Sequence, residues 1–494
     1  MRPRPLHPDE IPEDADGKQL AAYLGEDRGP ARIHHNFSGP ARVPPVTTHP
    51  PARRRADDWG DPDVHDDLAR RARVPNGRAK TVRSMLLGLV AGLAVTTVPA
   101  TAAAAPGDRE WQSVPLGQYA GVFTVDEASG DVVMTAESFD ADGLLTRVDG
   151  ATGAVEWAQP LPENTYVQRI VADGARDRLV TVGVELDYPQ SRYFAESRDA
   201  AGRVVWRHDL SEWAIDDAFE DLTVDEGTGQ ACALISGKGD GPKRWSRTDS
   251  VTCLDVDGRV TFTREHASSR GSEGRRSLAV DPHSHRILHS TYGRGKRPHH
   301  VLVAYSAQGE ILWQRHGGKG AEAHDLLVDP RRRLAHVVTT HPRSNQVSLL
   351  THDLTGRLRS TTRWASPTDF RLEPETAAVL PRTGRVVVAS LAGNRLVVRT
   401  VTHTGRKVAA MQARKARRNP HVAVDVRSGG VVMTANYRSR LDTTAFTRHG
   451  KVRWSRTTKE RGGLVPHAGF VQDGRRYVMA ADGRRTTRLV AFQN

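Results

Sequence analysis

The residue types that most often carry chemistry in proteins occur in this chain without the spacing that such chemistry needs. The 494 residues contain no Gly-x-Ser-x-Gly, His-Glu-x-x-His or Cys-x-x-Cys motif and no phosphate-binding loop. Two histidine pairs, His299 with His300 and His283 with His285, could bind a metal, but no third ligand is evident and solvated loop histidines are commoner. We therefore expect no metal and no cofactor, and we assign no catalytic residue.

One segment resembles a calcium-binding loop. Asp140 and Asp142 precede Gly143, and Asp149 stands at the twelfth position, as in loops of the Asp-x-Asp-x-Asp-Gly kind. The first ligand position holds Ser138 where a carboxylate is expected, and the same segment connects two predicted strands. We therefore favour a turn over a calcium site.

The chain has two cysteines, Cys232 and Cys253. They fall on predicted antiparallel neighbours, within about two residues of being opposite, which allows a disulfide without requiring one. In an exported protein such a pair is a disulfide candidate, and the alternative is two buried thiols.

The elements that must position these residues come from a repeat with a period of about fifty residues. Its mark is a tight Asp-x-x-Gly turn followed by a strand with an aromatic residue, as in Asp199 to Trp206 and Asp255 to Phe262. Glycine closes such hairpin turns because it tolerates positive φ. Four short strands in each period are typical of propeller blades. The turn glycines fall at residues 153, 202, 258, 309, 356, 405 and 450.

A second repeated feature, Val-Asp followed by a turn and a strongly β-prone strand, occurs eight times in looser or closer form. Together the two features predict blades of four antiparallel strands, with strand A innermost and strand D outermost. The last blade lacks a D strand, and the segment around Trp111 can supply it, which removes an exposed edge. We predict an all-β fold, an eight-bladed β-propeller over residues 105–494, with seven blades as the fallback.

The pattern Asp-x-x-Thr-Gly-x-x-x-Trp, from Asp149 to Trp157, resembles the repeat of quinoprotein-dehydrogenase-like (PQQ-like) propellers. The resemblance covers residues 109–494 and implies the fold more than the chemistry. Enzymes of that family carry vicinal cysteines, calcium-binding Glu and Asn and a catalytic Asp, whereas Cys232 and Cys253 are not adjacent. The resemblance is therefore compatible with an enzyme and with a binding or scaffold protein.

Five tryptophans share one position of the repeat, on the predicted D strands or their equivalent. A stacking surface for sugars is conceivable, but recurrence in most of the outer strands favours packing between adjacent blades. These residues are Trp111, Trp157, Trp206, Trp313 and Trp454.

The chain has a formal net charge of +13, which either a coding bias toward Arg or an anionic partner would explain. In a four-stranded blade the A–B and C–D turns form one rim, here called the turn rim, and the other connections form the loop rim. The turn rim is predicted to be comparatively acidic, apart from residues 331–333, and the loop rim basic. The candidate ligand-binding residues lie on loop-rim connections of neighbouring blades: Lys243, Arg244, Trp245, Arg247, Arg294, Lys296 and Arg297.

Residues 85–104 have the layout of a signal peptide, because basic residues precede an uncharged apolar run and small residues follow it. Cleavage after Ala104 is preferred, since cleavage after Ala105 would place Pro106 next to the scissile bond. No cysteine stands directly after the apolar run, so a bacterial lipid anchor at this point is not expected.

Residues 1–84 are rich in Pro, Asp, Arg and His and are predicted to be disordered. Either translation starts downstream, at Val74 or Val82, or 1–84 is a cytoplasmic tail ahead of an uncleaved anchor. The first is favoured, because the apolar run is short for a span and contains Pro99. In both cases the propeller is expected to be secreted or held at the outer surface.

We therefore expect an exported, monomeric, non-catalytic propeller that binds an anionic envelope polymer or a protein partner through the loop rim. Nucleic acid is not expected as a partner, and membrane contact is expected only through an uncleaved anchor. The alternative is a PQQ-dependent dehydrogenase-like or carbohydrate-active enzyme that uses the central channel. Carboxylates and aromatic residues at the channel mouth would favour that alternative.

Overall fold

The strands are short, rich in β-branched residues and joined by glycine turns, and a computed structural model shows how they pair. It describes residues 109–113, 116, 119–126, 128–137, 143–187, 190–213, 218–238, 246–269, 275–293, 299–341, 346–365, 377–392, 395–412, 418–425, 427–437, 440–459, 465–472, 476–482 and 487–493. These residues contain no helix long and apolar enough to cross a membrane. The predicted signal segment 85–104 and the preceding 1–84 lie outside the described residues.

The first seventeen strands in chain order are β1 Arg109–Gln112, β2 Tyr119–Val125, β3 Val132–Glu137, β4 Leu144–Val148, β5 Val155–Pro160, β6 Thr165–Asp173, β7 Arg178–Asp187, β8 Gln190–Asp199, β9 Val204–Trp213, β10 Ala218–Asp225, β11 Gln230–Lys238, β12 Ser246–Leu254, β13 Val260–Ser269, β14 Ser277–Asp281, β15 Arg286–Tyr292, β16 His299–Tyr305 and β17 Ile311–Lys319.

The remaining strands are β18 Glu322–Asp329, β19 Leu334–His341, β20 Gln346–Asp353, β21 Leu358–Ala365, β22 Ala377–Leu380, β23 Arg385–Ala392, β24 Arg395–Val401, β25 Lys407–Gln412, β26 Arg418–Val424, β27 Val431–Tyr437, β28 Arg440–Phe446, β29 Val452–Lys459, β30 Val465–Gln472, β31 Arg476–Asp482 and β32 Thr487–Gln493.

The described strands form eight sheets of four antiparallel strands each. Seven sheets take consecutive strands, from β2–β5 to β26–β29, and the eighth has the order β1-β32-β31-β30. The first strand of each sheet contacts the first strand or the core of the next sheet, and β2 contacts β31 and β32, so the sheets follow one another in a closed order. The predicted all-β propeller with four antiparallel strands per blade is confirmed.

The first and last described strands, β1 and β32, pair in one sheet, as the sequence predicts. Arg109 and Gln112 pair with Phe492 and Val490, so β1 takes the outer position beside β32. Beyond β1, the Ser113 N–H donates to the Leu489 carbonyl and the Ser113 hydroxyl accepts from the Leu489 N–H, both at 3.0 Å. The terminal sheet is therefore closed by residues almost four hundred positions apart in the chain.

The C–D turns owe their shape to an aspartate and a glycine. Gly202 has φ of 80° and its N–H donates to the Asp199 carbonyl at 2.9 Å. The Asp199 carboxylate accepts from the N–H groups of Ala201 and Arg203, which would otherwise lack partners in the turn. The same carboxylate contacts recur at Asp255 and Asp353.

The aspartates of the A–B turns are buried, which corrects the predicted acidity of the turn rim. Asp173 is fully buried and pairs with Arg178 at 2.9 Å. Asp225 is 2% exposed and accepts from the Gly227 N–H and the Thr228 hydroxyl. These carboxylates satisfy turn donors and arginines inside the protein, so their number in the sequence overstates the negative charge at the surface.

The core lies between neighbouring sheets. One cluster joins the β6–β9 and β10–β13 sheets through Val182, Tyr193 and Leu222, and equivalent clusters fill other seams. The innermost strands β6, β10 and β18 share one irregularity, a one-residue register shift at Gln168, Glu220 and His324. Such bulges turn side chains out of the regular alternation, and they place polar groups along the inner strands near the loop rim.

Candidate functional site

The predicted basic patch on the loop rim falls largely outside the described residues. Arg247 is described and stands near the start of β12, opposite Lys238 and Ser268. The other candidates lie outside the described residues: Lys243, Arg244, Trp245, Arg294, Lys296 and Arg297.

The strand ends that flank these residues lie on one rim of neighbouring sheets. Lys238 and Ser246 flank 239–245 at the loop end of the β10–β13 sheet. Gly293 and His299 flank 294–298 at the loop end of the β14–β17 sheet, whose inner strand contacts β10. The two connections therefore begin and end on the same rim of adjacent blades.

Cys232 and Cys253 are directly opposite each other on β11 and β12 and form a disulfide. Both are fully buried within the core of the β10–β13 and β14–β17 seam. The surroundings of the disulfide are apolar, because Leu234, Val251 and Phe262 belong to the same core cluster. This position favours a structural role for the bond.

A buried ion cluster lies inside the seam between these two sheets. Arg276 pairs with Asp249 at 2.7 Å and with Glu220 at 3.1 Å. Asp249 also accepts hydrogen bonds from the hydroxyls of Ser268 and Thr291. Burial raises the pKa of Glu220 to about 7, against the opposing effect of Arg276. One carboxyl group of this cluster is therefore close to its titration point at neutral pH.

A second polar group on the inner strands joins neighbouring blades. The Asp221 carboxylate accepts from the Leu278 N–H of the next sheet at 2.8 Å and lies 4.0 Å from Arg169 of the preceding sheet. Asp325 repeats this pattern by accepting from the Ala377 N–H, and burial raises its pKa to about 6. These inner-strand carboxylates therefore satisfy backbone donors of the next blade.

Arg147 lies beside a group of three carboxylates that includes Asp149 of the segment resembling a calcium loop. Residues 138–142 lie outside the described part, but Asp131, Asp149 and Glu156 approach one another closely. Arg147 is 2.8 Å from Asp131 and 3.0 Å from Glu156 and supplies the balancing positive charge. Asp149 accepts from the N–H groups of its own turn. Because residues 138–142 are not described, the turn that the sequence favours over a calcium site stays a prediction.

The histidines lie in several distinct surroundings. His299 Nε2 is 3.0 Å from Nδ1 of His316, a residue that the sequence did not single out. His300 is buried, which lowers its pKa to about 3 and keeps it neutral. His285 Nδ1 is 2.7 Å from the Asp225 carboxylate of the preceding blade. Among the described residues, His299 and His316 bring together two possible zinc ligands, whereas a zinc site uses at least three protein ligands.

The tryptophans of the D strands pack against the next blade. Gly202 lies under the ring of Trp157, and Gly258 and Gly356 lie under Trp206 and Trp313 in the same way. Trp454 stacks 6.5 Å from Phe492 in the terminal sheet. These contacts agree with the packing role predicted from the repeat, while the side chain of Trp111 lies outside the described part.

The described cavities open on the turn rim. One of about 690 Å³ is lined by Arg332, Arg333, Arg359 and His403 with a carboxylate, Asp353, that pairs with Arg359 at 2.8 Å. The second, of about 590 Å³, lies between the turns of the β22–β25 and β26–β29 sheets and is here called the arginine cleft. Its charged side chains are all basic: Arg382, Arg385, Arg427, Arg448, His449 and Arg453.

The sequence did not single out the arginine cleft, because it predicted basic residues on the loop rim and a comparatively acidic turn rim. A signal for it was present in the repeat. Leu380 replaces the aspartate of the A–B turn, and Thr402 and Thr447 replace the first residue of the C–D turn. The carboxylates that balance arginines in other blades are therefore absent from these three positions.

No family model and no curated protein matches the chain. Among solved structures it is similar to the Dos1 propeller, with a TM-score of 0.51 and 8% identity over 79% of this chain and 93% of that chain. It is also similar to a chain of the mitotic checkpoint complex, with a TM-score of 0.41 and 11% identity over 82% of this chain and 99% of that chain. At 8% identity the likeness to Dos1 shows the fold alone, a β-propeller.

Proposed function

We propose that this chain is an exported, non-catalytic binding module, an eight-bladed ring that takes an anionic envelope polymer or a protein partner on its loop rim. The position of the loop connections carries the proposal. Residues 239–245 and 294–298, which hold six of the seven candidates, are flanked by strand ends on one rim of adjacent sheets. Binding sites on propellers are built from such connections on a rigid scaffold.

The buried ion pairs support binding over catalysis. The Arg276, Asp249 and Glu220 side chains are held against one another within the seam, and Asp221 and Asp325 bond to backbone N–H groups. Their hydrogen bonds join neighbouring blades, so a structural role explains why these polar groups are buried. The repeat from Asp149 to Trp157 supports a place among PQQ-like propellers that have a binding or scaffold role.

A salt-elution experiment tests the loop-rim proposal. Changing Lys243, Arg244, Arg294 and Arg297 to Ser should lower the salt at which the protein leaves an anionic matrix or a cell-wall preparation, because exposed charges attract through screened Coulomb forces. The matched control removes four exposed charges from the turn rim, at Arg203, Arg259, Arg357 and Lys407. Equal elution of the loop-rim variant and the parent would reject the loop rim as the binding surface.

Export is tested on the protein from the culture supernatant. Terminal sequencing should place the mature N-terminus at Ala105 or close to it, as the layout of residues 85–104 predicts. Recovery of residues 1–84 on the secreted protein would contradict a downstream start, and retention in the membrane fraction would favour the uncleaved anchor.

One observation favours the alternative, an enzyme that uses the central channel. Glu220, with a pKa raised to about 7 by burial, lies on an inner strand and could donate or accept a proton near neutral pH. A screen of glycosides and alcohols with the parent and a Glu220→Gln variant tests this role. Turnover that Glu220→Gln abolishes while the fold survives would establish the enzyme; binding without turnover on the same substrates supports the module.

A further inference from the structure

The arginine cleft lies on the turn rim, opposite the surface considered for the proposed function. Its three walls are the β22–β23 turn, the β26–β27 turn and the β28–β29 turn. Leu380 and Phe446 form apolar parts of the lining, and both side chains are nearly fully buried. The cleft therefore combines exposed guanidinium groups with a poorly solvated floor, which strengthens electrostatic attraction for a ligand that enters it.

Four of the five arginines of the cleft have no carboxylate partner among the described residues. In the described part of the chain, no carboxylate forms an ion pair with Arg382, Arg385, Arg448 or Arg453. Arg448 Nε donates to His449 Nε2 at 3.0 Å, so this contact is with another basic residue. Several turn-rim arginines of other blades pair with a carboxylate of their own turn; Arg203, for example, lies 2.6 Å from Asp199.

Asp425 is the acidic residue nearest in sequence to the cleft, and its carboxylate accepts hydrogen bonds within the β26–β27 turn. It is 2% exposed and accepts from the N–H groups of Arg427 and Ser428 at 2.9 and 3.1 Å, and from the Ser428 hydroxyl. These bonds direct the carboxylate into the β26–β27 turn. Its negative charge offsets part of the positive field, but no ion pair joins it to the arginines of the opposite walls, Arg382, Arg385, Arg448 and Arg453.

The repeat itself shows how the negative charge is removed while the turns are kept. Thr402 Oγ1 accepts from the Arg406 N–H at 3.0 Å, and Thr447 Oγ1 accepts from the Lys451 N–H at 3.2 Å. Asp199 makes the equivalent bond to the Arg203 N–H at 2.9 Å. A neutral threonine hydroxyl thus accepts the hydrogen bond that a carboxylate accepts elsewhere, at the C–D turns of two consecutive blades.

The cleft walls are held in place from the neighbouring sheets. Arg332 donates to the carbonyls of Pro381 and Arg382 at 3.3 and 3.2 Å and so fixes the β22–β23 turn. Gly429 has φ of 75°, and a Cβ there would lie 2.9 Å from a Leu380 methyl and 3.3 Å from the Arg448 Cβ. The glycine therefore permits the close approach of the turns that bring the arginines together, and the site is largely preorganised for an anion.

We propose that the arginine cleft binds a ligand with several closely spaced phosphate groups. Guanidinium groups present paired N–H donors that match phosphate oxygens in a bidentate manner, which a point charge does not reproduce. Five arginines around one cavity match a compact polyanion with about as many negative charges, such as an oligophosphate, better than an isolated carboxylate. The phosphates could belong to a free oligophosphate or to a phosphate-bearing polymer.

Calorimetry on the full chain with inorganic tripolyphosphate tests the site. Tripolyphosphate should bind at least about tenfold more tightly than citrate, and Arg448→Ser with Arg453→Ser should weaken it by about tenfold for each arginine, roughly 1.4 kcal/mol each. Both side chains are exposed, so folding should be retained, as an unchanged Tm would show. Arg203→Ser with Arg259→Ser removes two charges from the same rim and should leave the affinity within about twofold.

Lysine substitutions separate recognition from bulk charge. Arg448→Lys with Arg453→Lys keeps both charges but loses the guanidinium fork, so it should also weaken tripolyphosphate binding. Full binding by this variant, or equal affinity for citrate and tripolyphosphate, would overturn phosphate recognition. An unchanged affinity of the double serine variant would overturn the site itself.

Two further arms separate the source and the surface. A glycerol-phosphate polymer that competes with tripolyphosphate would assign the phosphates to a polymer, and absence of competition would assign them to a free oligophosphate. The loop-rim variant with Lys243, Arg244, Arg294 and Arg297 changed to Ser should bind tripolyphosphate like the parent. Loss of binding in that variant would overturn the assignment to the turn rim.

Discussion

Trp157 donates its indole N–H to the carbonyl oxygen of Ala200 at 2.8 Å, and this bond ties the outer strand of one sheet to the C–D turn of the next. Trp206 makes the equivalent bond to Val256 at 2.9 Å, and Trp313 to Leu354 at 2.8 Å. The aromatic position and the turn glycine of the repeat are therefore two halves of one contact between blades.

This contact predicts an unequal response of two glycines to the same substitution. Gly202→Ala places a methyl group 2.9 Å from the Trp157 ring at φ of 80°, so both strain and overpacking should destabilise the fold. Gly320→Ala is the matched control, since Gly320 has φ of 78° and open space around it. Denaturant unfolding should show Gly202→Ala less stable than Gly320→Ala by about 1–3 kcal/mol. Equal losses would mean that backbone strain alone sets the cost.

The terminal sheet predicts that the N-terminal strand is needed for folding. Deletion of residues 107–116 would expose the edge of β32 and remove Ser113 from Leu489, so the protein should aggregate or melt at a much lower temperature. Ser113→Ala is a milder change that removes one acceptor from the Leu489 N–H and should cost about 1–2 kcal/mol. A deletion variant with the melting behaviour of the parent would contradict closure by β1.

The disulfide predicts a stability that depends on redox conditions. Cys232 and Cys253 are 21 residues apart, and a loop of that size corresponds to about 3 kcal/mol of stabilisation. The parent should therefore unfold at lower denaturant concentration in the presence of a reductant. The variant with Cys232→Ala and Cys253→Ala should be insensitive to reductant, and a parent with the same insensitivity would show that the bond is absent in solution.

Glu220 predicts a change of stability with pH. Burial raises its folded pKa from 4.5 to about 7, so the folded state holds this proton where the unfolded state has released it. Its contribution to stability is therefore present below about pH 4.5 and is lost as the pH rises to about 7. Glu220→Gln cannot ionise, so its stability relative to the parent should increase between pH 5 and pH 8, by about 2–3 kcal/mol.

The comparison with Glu220→Gln cancels the titration of other groups. Buried histidines such as His289 and His336, whose pKa values burial lowers to about 4, favour the unfolded state in acid. Their effect is common to parent and variant, so the difference between the two unfolding curves isolates Glu220. A difference that stays constant from pH 5 to pH 8 would contradict the raised pKa.

The repeat predicted most of the fold because its residues act locally. Gly202 is required at a positive φ within its own turn, and the β-branched residues of the strands favour extended structure. The disulfide partners could be placed only to within about two residues from the sequence, because the turn lengths that set the register were not known.

The parts that could not be predicted depend on contacts between blades. The sequence shows Asp173 and Asp225 as acidic residues, but it does not show that Arg178 and His285 cover them. The bulge at Glu220 and the insertion of Arg147 among four carboxylates are equally invisible without the packing of the sheets. The binding role of the loop-rim residues stays a prediction. The arginine cleft depends on the packing of three turns, which the sequence alone does not show.

The exchange of Asp for Thr in the turns at Thr402 and Thr447 separates two properties that usually change together. The hydrogen bond that shapes the turn persists, while the negative charge of the carboxylate is absent. Each blade can therefore acquire its own surface potential by a single-residue exchange that the scaffold tolerates. In a repeat of this kind, the charge on one blade can change, and with it the ligand that the blade attracts, while the hydrogen bonds that stabilise the turns are retained.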